Sequence, residues 1–188
     1  MADNEKDELR DQLLERYLGK PLGPPAEAPD EVNLPMIRHW VDAMDDRNPV
    51  YLDQELASAT RFGGIVAPPA MLQTWTMPRP RLEGIAERGG VPNEIDPDNP
   101  VTKLDEAGYL GTLATNSELE YLRYLRPGDL VTSVTALESI SERKTTSLGQ
   151  GYFVTWVTTY TAGDNGEVVG RQSFRILKFD PSTMGDAR

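Results

Sequence analysis

Asp46, Asn48 and Tyr51 stand close together in the chain and offer a carboxylate, an amide and a phenol that could do acid and base chemistry. A positioned acid or base contributes about 10²–10⁴ to a rate, and it works best when its pKa lies near the working pH. The ordinary pKa of a phenol is about 10, so Tyr51 can donate a proton only poorly at neutral pH. Both residues also have plainer interpretations: Asp46 can bond the amides of a turn, and Tyr51 can fill space.

Most other kinds of active site are excluded by residue types that the chain lacks. His39 is the single histidine, and there is no G-x-S-x-G nucleophile elbow for it to serve. In a helix it would lie about two turns before Asp46, roughly 10 Å along the axis, which is too far to act with it. It falls off the apolar face of that helix, so we expect it at the surface or in an interface. The chain has no cysteine, no GxGxxG and no Walker A loop, so we expect no metal site and no nucleotide cradle. Prolines break the calcium-like alternation of Glu94, Asp96 and Asp98.

Length and charge limit the class of protein that must position these residues. A chain of 188 residues is expected to form one core, and its net charge of −11 argues against binding to nucleic acid or to an anionic membrane. The start is acidic and has no apolar leader, and no run approaches 18 apolar residues. We therefore expect a cytoplasmic protein with a partner other than nucleic acid or membrane.

The first half of the chain is predicted to be helical. Apolar spacing predicts helical stretches at 8–18, at 33–45 with Asn33 as its cap, at 53–60, and from the prolines at 68–69 to Met77. The second should bury Ile37, Trp40, Val41 and Met44, and the last should present Met71, Leu72, Trp75 and Met77 as an apolar surface. Proline and glycine mark 21–31 as an extended linker and 78–102 as an irregular excursion.

The second half is predicted to be a sheet. Four stretches show period-two alternation, at 113–125, 130–141, 146–162 and 167–179, with tight-turn residues between them. Helices followed by an antiparallel meander predict an α+β fold in which a curled sheet packs on a helix. We expect residues 1–31 to form a short helix and linker, 32–179 the folded domain, and 180–188 a tail.

Two segments of the chain resemble a known sequence signature. Residues 43–53 read AMDDRNPVYLD and residues 62–72 read FGGIVAPPAML. In order and spacing they resemble the signature of the MaoC-like hydratases and dehydratases, approximately G-D-x-N-P-[IVL]-H-x-D followed by a helix entrance of the type [IV]-[AV]-[HP]-G-M-L. These are hot-dog-fold enzymes that act on acyl-coenzyme A thioesters. The resemblance implies a curled antiparallel sheet wrapped around a central helix, and no cofactor, since the coenzyme A thioester is the substrate.

The resemblance assigns roles residue by residue. The family's catalytic aspartate falls on Asp46 and its Asn-Pro pair on Asn48 and Pro49, but its catalytic histidine falls on Tyr51. The backbone N–H that binds the thioester oxyanion falls on Ala70. Because the imidazole is missing, we interpret Asp46 and Tyr51 as a vestigial pair. Asn48 and Ala70 are expected to bind substrate, together with Met71 and Trp75 on the central helix.

A closer resemblance is to the MaoC half of the larger subunits of actinobacterial steroid side-chain enoyl-CoA hydratases. It rests on AGY at 107–109, ATN at 114–116, YLRYL at 121–125 and RILKF at 175–179. It implies that this chain shapes the pocket for a bulky polycyclic acyl group, while a smaller hot-dog subunit with an intact Asp and His does the chemistry in a heterodimer or a dimer of heterodimers. Those larger subunits usually continue into a zinc-ribbon and OB-type domain that docks a thiolase-like aldolase, whereas nine residues follow Phe179 here.

The pocket and the coenzyme A phosphates add two expectations. Because Pro78 and Pro80 cut the central helix short, open space for the acyl group should lie beside the helix that begins near Pro69. The cations expected to meet the coenzyme A phosphates are Arg143, Lys144 and Arg175, with Arg79, Arg81 and Arg171 as further candidates. Two other functions stay open: a stand-alone hydratase or dehydratase that uses Asp46 and Tyr51, and a noncatalytic scaffold that recruits an aldolase.

Overall fold

The computed structural model describes residues 3–77, 83–84, 98–163 and 165–185. The α-helices are α1 (Asp3–Tyr17), α2 (Leu34–Met44), α3 (Gln54–Ser58) and α4 (Pro100–Glu106), and 3₁₀ helices span Pro49–Tyr51, Pro69–Thr76 and Pro181–Thr183. The strands are β1 (Ala26–Glu27), β2 (Gly111–Tyr121), β3 (Val131–Ile140), β4 (Lys144–Thr146), β5 (Gly149–Ala162) and β6 (Glu167–Asp180). Within these residues the strands form one antiparallel sheet in the order β1-β3-β5-β6-β2, with β4 beside β5. The predicted α+β order is confirmed.

One face of the sheet carries two hydrophobic cores. Period-two alternation directs Tyr152, Val154, Trp156 and Tyr160 of β5 to this face. The first core packs the Pro69–Thr76 helix against one end of the strands, through Met71, Leu72, Trp75, Val131, Tyr160 and Val169. The second core packs α1 and α4 against the other end, through Leu13, Tyr17, Leu104, Leu137, Tyr152, Val154 and Ile176. The helical layer over the sheet is therefore divided between two separate groups of helices.

The Pro69–Thr76 helix, here called the central helix, has the predicted length. Its eight residues adopt 3₁₀ geometry, and it begins at the proline pair and ends at Met77. Thr76 accepts a hydrogen bond from the Ser133 hydroxyl at 3.1 Å, which ties the end of the helix to β3. Met77 is 60% exposed, so its predicted place on the apolar surface was wrong. The helix ends before its last predicted apolar residue can turn toward the sheet.

The N-terminal segment is more closely attached to the sheet than predicted. Helix α1 begins at Asp3, before the stretch predicted at 8–18, and ends at Tyr17. Leu13 and Tyr17 are buried in the second core. The stretch 21–31 is extended, but it is not a free linker, because β1 pairs with β3 and Leu22 N–H donates to the Thr135 carbonyl at 2.8 Å. Prolines are tolerated there because an edge strand leaves alternate N–H positions unpaired.

Two further expectations are corrected. Asn33 caps α2 as predicted, and Ile37 and Val41 are buried, but Met44 is 61% exposed because it belongs to the last turn, which extends past the core. The excursion 78–102 ends earlier than predicted, since Asn99 caps α4 and the helix begins at Pro100. The remaining part of that stretch, 78–82 and 85–97, lies outside the described residues.

Tyr160 gives the first core a measurable pH dependence. Its side chain is 3% exposed, its hydroxyl donates to the Gln172 side chain at 3.2 Å, and burial raises its pKa to about 12. The unfolded phenol has a pKa of about 10, so the folded state holds the proton more tightly between pH 10 and 12, and stability falls as the pH rises through that window. Urea unfolding should therefore show a loss of about 1 kcal/mol between pH 9 and 11 that Tyr160→Phe removes. Equal alkaline losses in both proteins would contradict this.

Candidate functional site

The loop after α2 holds the first group of predicted site residues. Helix α2 ends with Asp45 in the left-handed conformation, φ 48°, at the position where the signature has glycine. Aspartate is among the few L-residues that adopt this conformation readily. The Asp46 N–H then donates to the Val41 carbonyl at 3.0 Å, which closes the helix and turns the Asp46 side chain into the loop.

Asp46 and Asn48 each bond the backbone of the turn that follows. The Asp46 carboxylate accepts from the Asn48 N–H at 3.0 Å, and the Asn48 side chain accepts from the Val50 N–H at 3.3 Å. Asn48 in this way caps the short helix Pro49–Tyr51. Asp46 therefore makes the bond to a turn amide that its plainer interpretation predicted, and its vestigial or catalytic role stays a prediction.

Tyr51 is buried beside these two residues. Its side chain is 8% exposed. Burial raises its pKa, the negative charge of Asp46 and the neighbouring Tyr124 raise it further, and a hydrogen bond with the Asn48 side chain works in the opposite direction. A phenol whose pKa is raised above its ordinary value stays protonated throughout the neutral range and cannot act there as a base.

Two tyrosines that sequence reasoning did not assign to the site belong to it. Tyr124 interacts with Tyr51 and stacks at a tilt on Phe62, with 4.7 Å between ring centroids. Burial raises the pKa of Tyr121, and Tyr124 adds to that shift. Arg123, between them, donates to Asp129 and to Glu167, each at 2.8 Å, and fixes the segment. The spacing of two tyrosines in YLRYL was the available signal.

The entrance of the central helix lies next to this cluster. Ala67 N–H donates to the Leu125 carbonyl at 2.8 Å, and Val66 N–H donates to the Val50 carbonyl at 3.4 Å, so the two signature segments are held together. A narrow cleft of about 10 Å³ is lined by Ala67, Pro68, Pro69, Leu72, Tyr121, Arg123, Tyr124 and Leu125. That volume has room for about one water molecule. Ala70 is exposed in the first turn, where N–H groups have no helical acceptor, and its oxyanion role stays a prediction.

Met71 and Trp75 are core residues of the chain. Met71 is fully buried and Trp75 is 5% exposed. Among the described residues no acceptor lies within hydrogen-bond distance of the Trp75 indole N–H. A buried donor without an acceptor costs about 1–3 kcal/mol, which is the kind of group that a ligand or a partner satisfies. Their predicted contact with substrate stays a prediction.

A second, larger cavity lies beside the start of α4. Its volume is about 240 Å³, and it is lined by Leu22, Asn99, Pro100, Val101, Thr135 and Trp156. Thr135 and Trp156 belong to the rows of the sheet between the two cores, so we call this space the mid-sheet cavity. The Thr135 and Thr158 hydroxyls bond each other at 2.8 Å, and Trp156 packs at a tilt on Phe174 at 5.4 Å. The sequence predicted open space beside the central helix, whereas the lining of this roomier space includes no residue of that helix.

The predicted coenzyme A cations lie in two places. Arg143 and Lys144 are in and beside the turn between β3 and β4, where Lys144 lies 3.9 Å from Glu142. Arg175 is on β6 and donates to the Thr155 hydroxyl at 3.1 Å, on the face opposite the cores. Arg171 pairs with Glu120 at 3.4 Å, and Arg79 and Arg81 lie outside the described residues. Their contact with phosphate stays a prediction.

The described part of the chain contains no group of His, Asp and Glu side chains arranged to hold a metal ion. His39 is exposed on α2. Among the described helices, none combines the length and the apolar character needed to cross a membrane.

The match to a known protein family covers both signature segments. Residues 23–171 match the family model described as FAS1-like, dehydratase domain region. The chain is 46% identical over 156 residues to a Mycobacterium tuberculosis protein named 3-oxo-4,17-pregnadiene-20-carboxyl-CoA hydratase alpha subunit, covering 82% of this chain and 47% of the relative. It is 44% identical over 160 residues to a probable enoyl-CoA hydratase alpha subunit of Thermomonospora curvata, covering 81% and 46%. The chain spans about half the length of these curated relatives.

One solved structure resembles this chain along most of its length. A chain of the ChsH1–ChsH2 complex from Mycobacterium tuberculosis superposes with a TM-score of 0.75 at 41% identity, covering 96% of this chain and 94% of that one. The predicted hot-dog fold is confirmed by this match.

Proposed function

Because this chain belongs to the FAS1-like dehydratase family of MaoC-like hot-dog proteins, we propose that it is one subunit of a heteromeric enoyl-CoA hydratase. In the proposed enzyme a second hot-dog subunit carries the catalytic Asp and His. The present chain shapes the pocket for a bulky acyl group of the steroid side-chain class. The names of two relatives and the two-component complex among the similar structures support this assignment.

The observation that carries the proposal is the environment of Tyr51. Hydration of a 2,3 double bond requires one group to take a proton from water and another to deliver a proton to the α-carbon. Tyr51 is buried, and its pKa is raised by burial and by Asp46, so it cannot accept that proton at neutral pH. Asp46 is in turn engaged by the Asn48 N–H. The loop therefore presents a carboxylate that bonds the turn and a phenol that is not a base, which supports a second subunit as the source of the catalytic pair.

An open sheet edge supports a hot-dog partner. Strand β2 pairs only with β6 within the described residues, and none of its eleven residues is buried. Leu113 is 47% exposed and Tyr121 is 40% exposed on this strand. A long exposed edge with apolar side chains is a site for pairing with another chain. We propose that the second subunit covers this edge.

The acyl group is proposed to extend into the mid-sheet cavity. An aromatic wall formed by Trp156, with Phe174 behind it, suits a flat apolar group. The cavity's 240 Å³ is somewhat below the range of about 300–1,000 Å³ typical of ligand sites, so the partner would complete it. Arg143 and Lys144 are proposed to meet the coenzyme A phosphates, whereas Arg175 lies on the other face of the sheet from this cavity.

Reconstitution tests the proposed function directly. The purified chain alone should hydrate a steroid side-chain enoyl-CoA at least about 100-fold more slowly than its equimolar complex with the second hot-dog subunit, because only the complex has an imidazole at the reacting bond. The decrease in enoyl thioester absorbance measures both rates, and calorimetric titration with the same ligand measures binding.

Two outcomes would favour the alternatives. Full activity of the isolated chain, lost in Asp46→Ala, would make it a stand-alone hydratase, which the proximity of Asp46 and Tyr51 permits. No heat of binding with any acyl-CoA, in the chain or in the complex, would favour the noncatalytic scaffold for a thiolase-like aldolase.

A further inference from the structure

Lys178 is an almost fully buried cation that the proposed chemistry does not use. It lies on β6 with 1% of its surface exposed. Its ammonium donates to the Asp105 carboxylate at 2.5 Å and to the Thr112 hydroxyl at 2.7 Å. A buried charge is retained only where it is paired and hydrogen-bonded, so this arrangement connects β6 to α4 and to β2.

The other end of α4 is fixed by a second carboxylate. Asp98, just before the helix, accepts from the Tyr17 hydroxyl at 2.7 Å and from the Arg16 guanidinium at 2.5 Å, both on α1. Leu104, between the two ends, is fully buried in the second core. Helix α4 has only seven residues and is not stable by itself, so these contacts hold it in place.

The position of α4 sets one wall of the mid-sheet cavity. Asn99, Pro100 and Val101 line the cavity from the start of α4, opposite Thr135 and Trp156. Lys178 does not line the cavity, and its influence on it passes through Asp105 and the helix.

We propose that Lys178 is a positioning residue that, through Asp105, holds α4 as the wall of the acyl cavity and so determines which acyl groups fit. This inference rests on the proposed function for the identity of the ligand. The contact of Lys178 with Asp105, called the clamp below, does not depend on that function. Without this contact the seven-residue α4 would be held mainly through Asp98 and Leu104 and would pivot about them, so Pro100 and Val101 would no longer present a fixed wall to a bulky rigid acyl group. A short acyl group, which does not reach this wall, would be unaffected.

Hydrogen exchange on the full chain tests the clamp without any ligand. In Lys178→Met the amides of residues 101–109 should exchange about tenfold faster than in the parent protein, while those of the central helix stay unchanged. Asp105→Asn keeps the side-chain shape, weakens the same contact, and should give a smaller increase in the same peptide. Lys103→Met is the matched control, because Lys103 pairs with Glu106 within α4 and leaves the sheet contacts intact.

Selectivity in the reconstituted complex tests the consequence. The ratio of kcat/KM for a polycyclic enoyl-CoA to that for crotonyl-CoA should fall about tenfold in Asp105→Asn and Lys178→Met through a higher KM for the polycyclic substrate. It should not change in Lys103→Met. Unchanged exchange in 101–109 for both clamp variants overturns the inference, as does an unchanged ratio in a variant with faster exchange. A wild-type complex that hydrates no enoyl-CoA rejects the proposed function instead, and the exchange experiment still decides the clamp.

Discussion

Alanine in place of the catalytic histidine of the second subunit is expected to lower the hydration rate of the complex by about 10²–10⁴, whereas Asp46→Ala in this chain should lower it less than about tenfold. The asymmetry follows from the two environments. A histidine has a pKa near the working pH and can both take and give the water's proton. Tyr51, buried and held protonated beside Asp46, cannot take that proton at neutral pH and gives up its own only poorly.

The small expected effect of Asp46→Ala has a structural cause. Its carboxylate accepts from the Asn48 N–H, so its removal loosens the turn that carries Tyr51 and costs stability rather than chemistry. Asp46→Asn is the matched control, since an amide oxygen can still accept from Asn48. Tyr51→Phe removes only the hydroxyl and should also leave kcat within about tenfold. Steady-state kinetics on complexes of verified stoichiometry measure all three.

One result would contradict this prediction. If Asp46→Ala and Tyr51→Phe each lower kcat by about 100-fold or more while thermal unfolding is unchanged, the pair takes part in the reaction. The chain would then carry a working site of its own.

Much of the local structure could be predicted from the sequence because its signals are short-range. Asn33 before a proline and an apolar i, i+3, i+4 pattern predicted α2, and alternation in β5 predicted the sheet. The strand ends agree within a few residues. The juxtaposition of Asp46, Asn48 and Tyr51 also followed, since the three lie within six residues and the Asn-Pro pair favours a turn between them.

Contacts between residues far apart in the chain were harder to predict from the sequence. Tyr124 joins Tyr51 from a position 73 residues away in the chain, and the YLRYL spacing that marks Tyr124 does not indicate which residue it contacts. Leu22 and Thr135 are paired across the sheet edge although the proline-rich stretch around Leu22 has the composition of a linker. Composition describes the solvent preference of a segment, whereas its partner is determined by tertiary context.

The position of the mid-sheet cavity could not be predicted from the sequence for the same reason. Early termination of the central helix was predicted from Pro78 and Pro80, and the helix does end before them. Where the freed space would lie depended on α4, which the irregular composition of 78–102 did not predict. Because α1 and α4 fill the far end of the sheet, the space remains between the two cores.

Val101→Trp is expected to weaken binding of a polycyclic acyl-CoA to the complex by at least about 100-fold and to leave binding of crotonyl-CoA within about threefold. Val101 is half-buried and lines the mid-sheet cavity at α4. An indole there would occupy much of the 240 Å³ between α4 and Trp156. A rigid fused-ring group cannot rearrange to avoid it, whereas a four-carbon acyl chain does not reach that depth.

Glu106→Trp is the matched control for this experiment, because Glu106 is exposed on the same helix and its ion pair with Lys103 is at the surface. It should change neither affinity. Isothermal titration of each complex with both ligands gives the affinities, and thermal unfolding shows whether the indole has displaced α4.

Equal weakening of both ligands would mean that the indole disturbs the complex as a whole. Unchanged affinity for the polycyclic ligand in a folded Val101→Trp complex would place the acyl group elsewhere. Selective loss of the polycyclic ligand is the result expected if the divided helical layer is what makes room for it, since only the space between the two cores is altered.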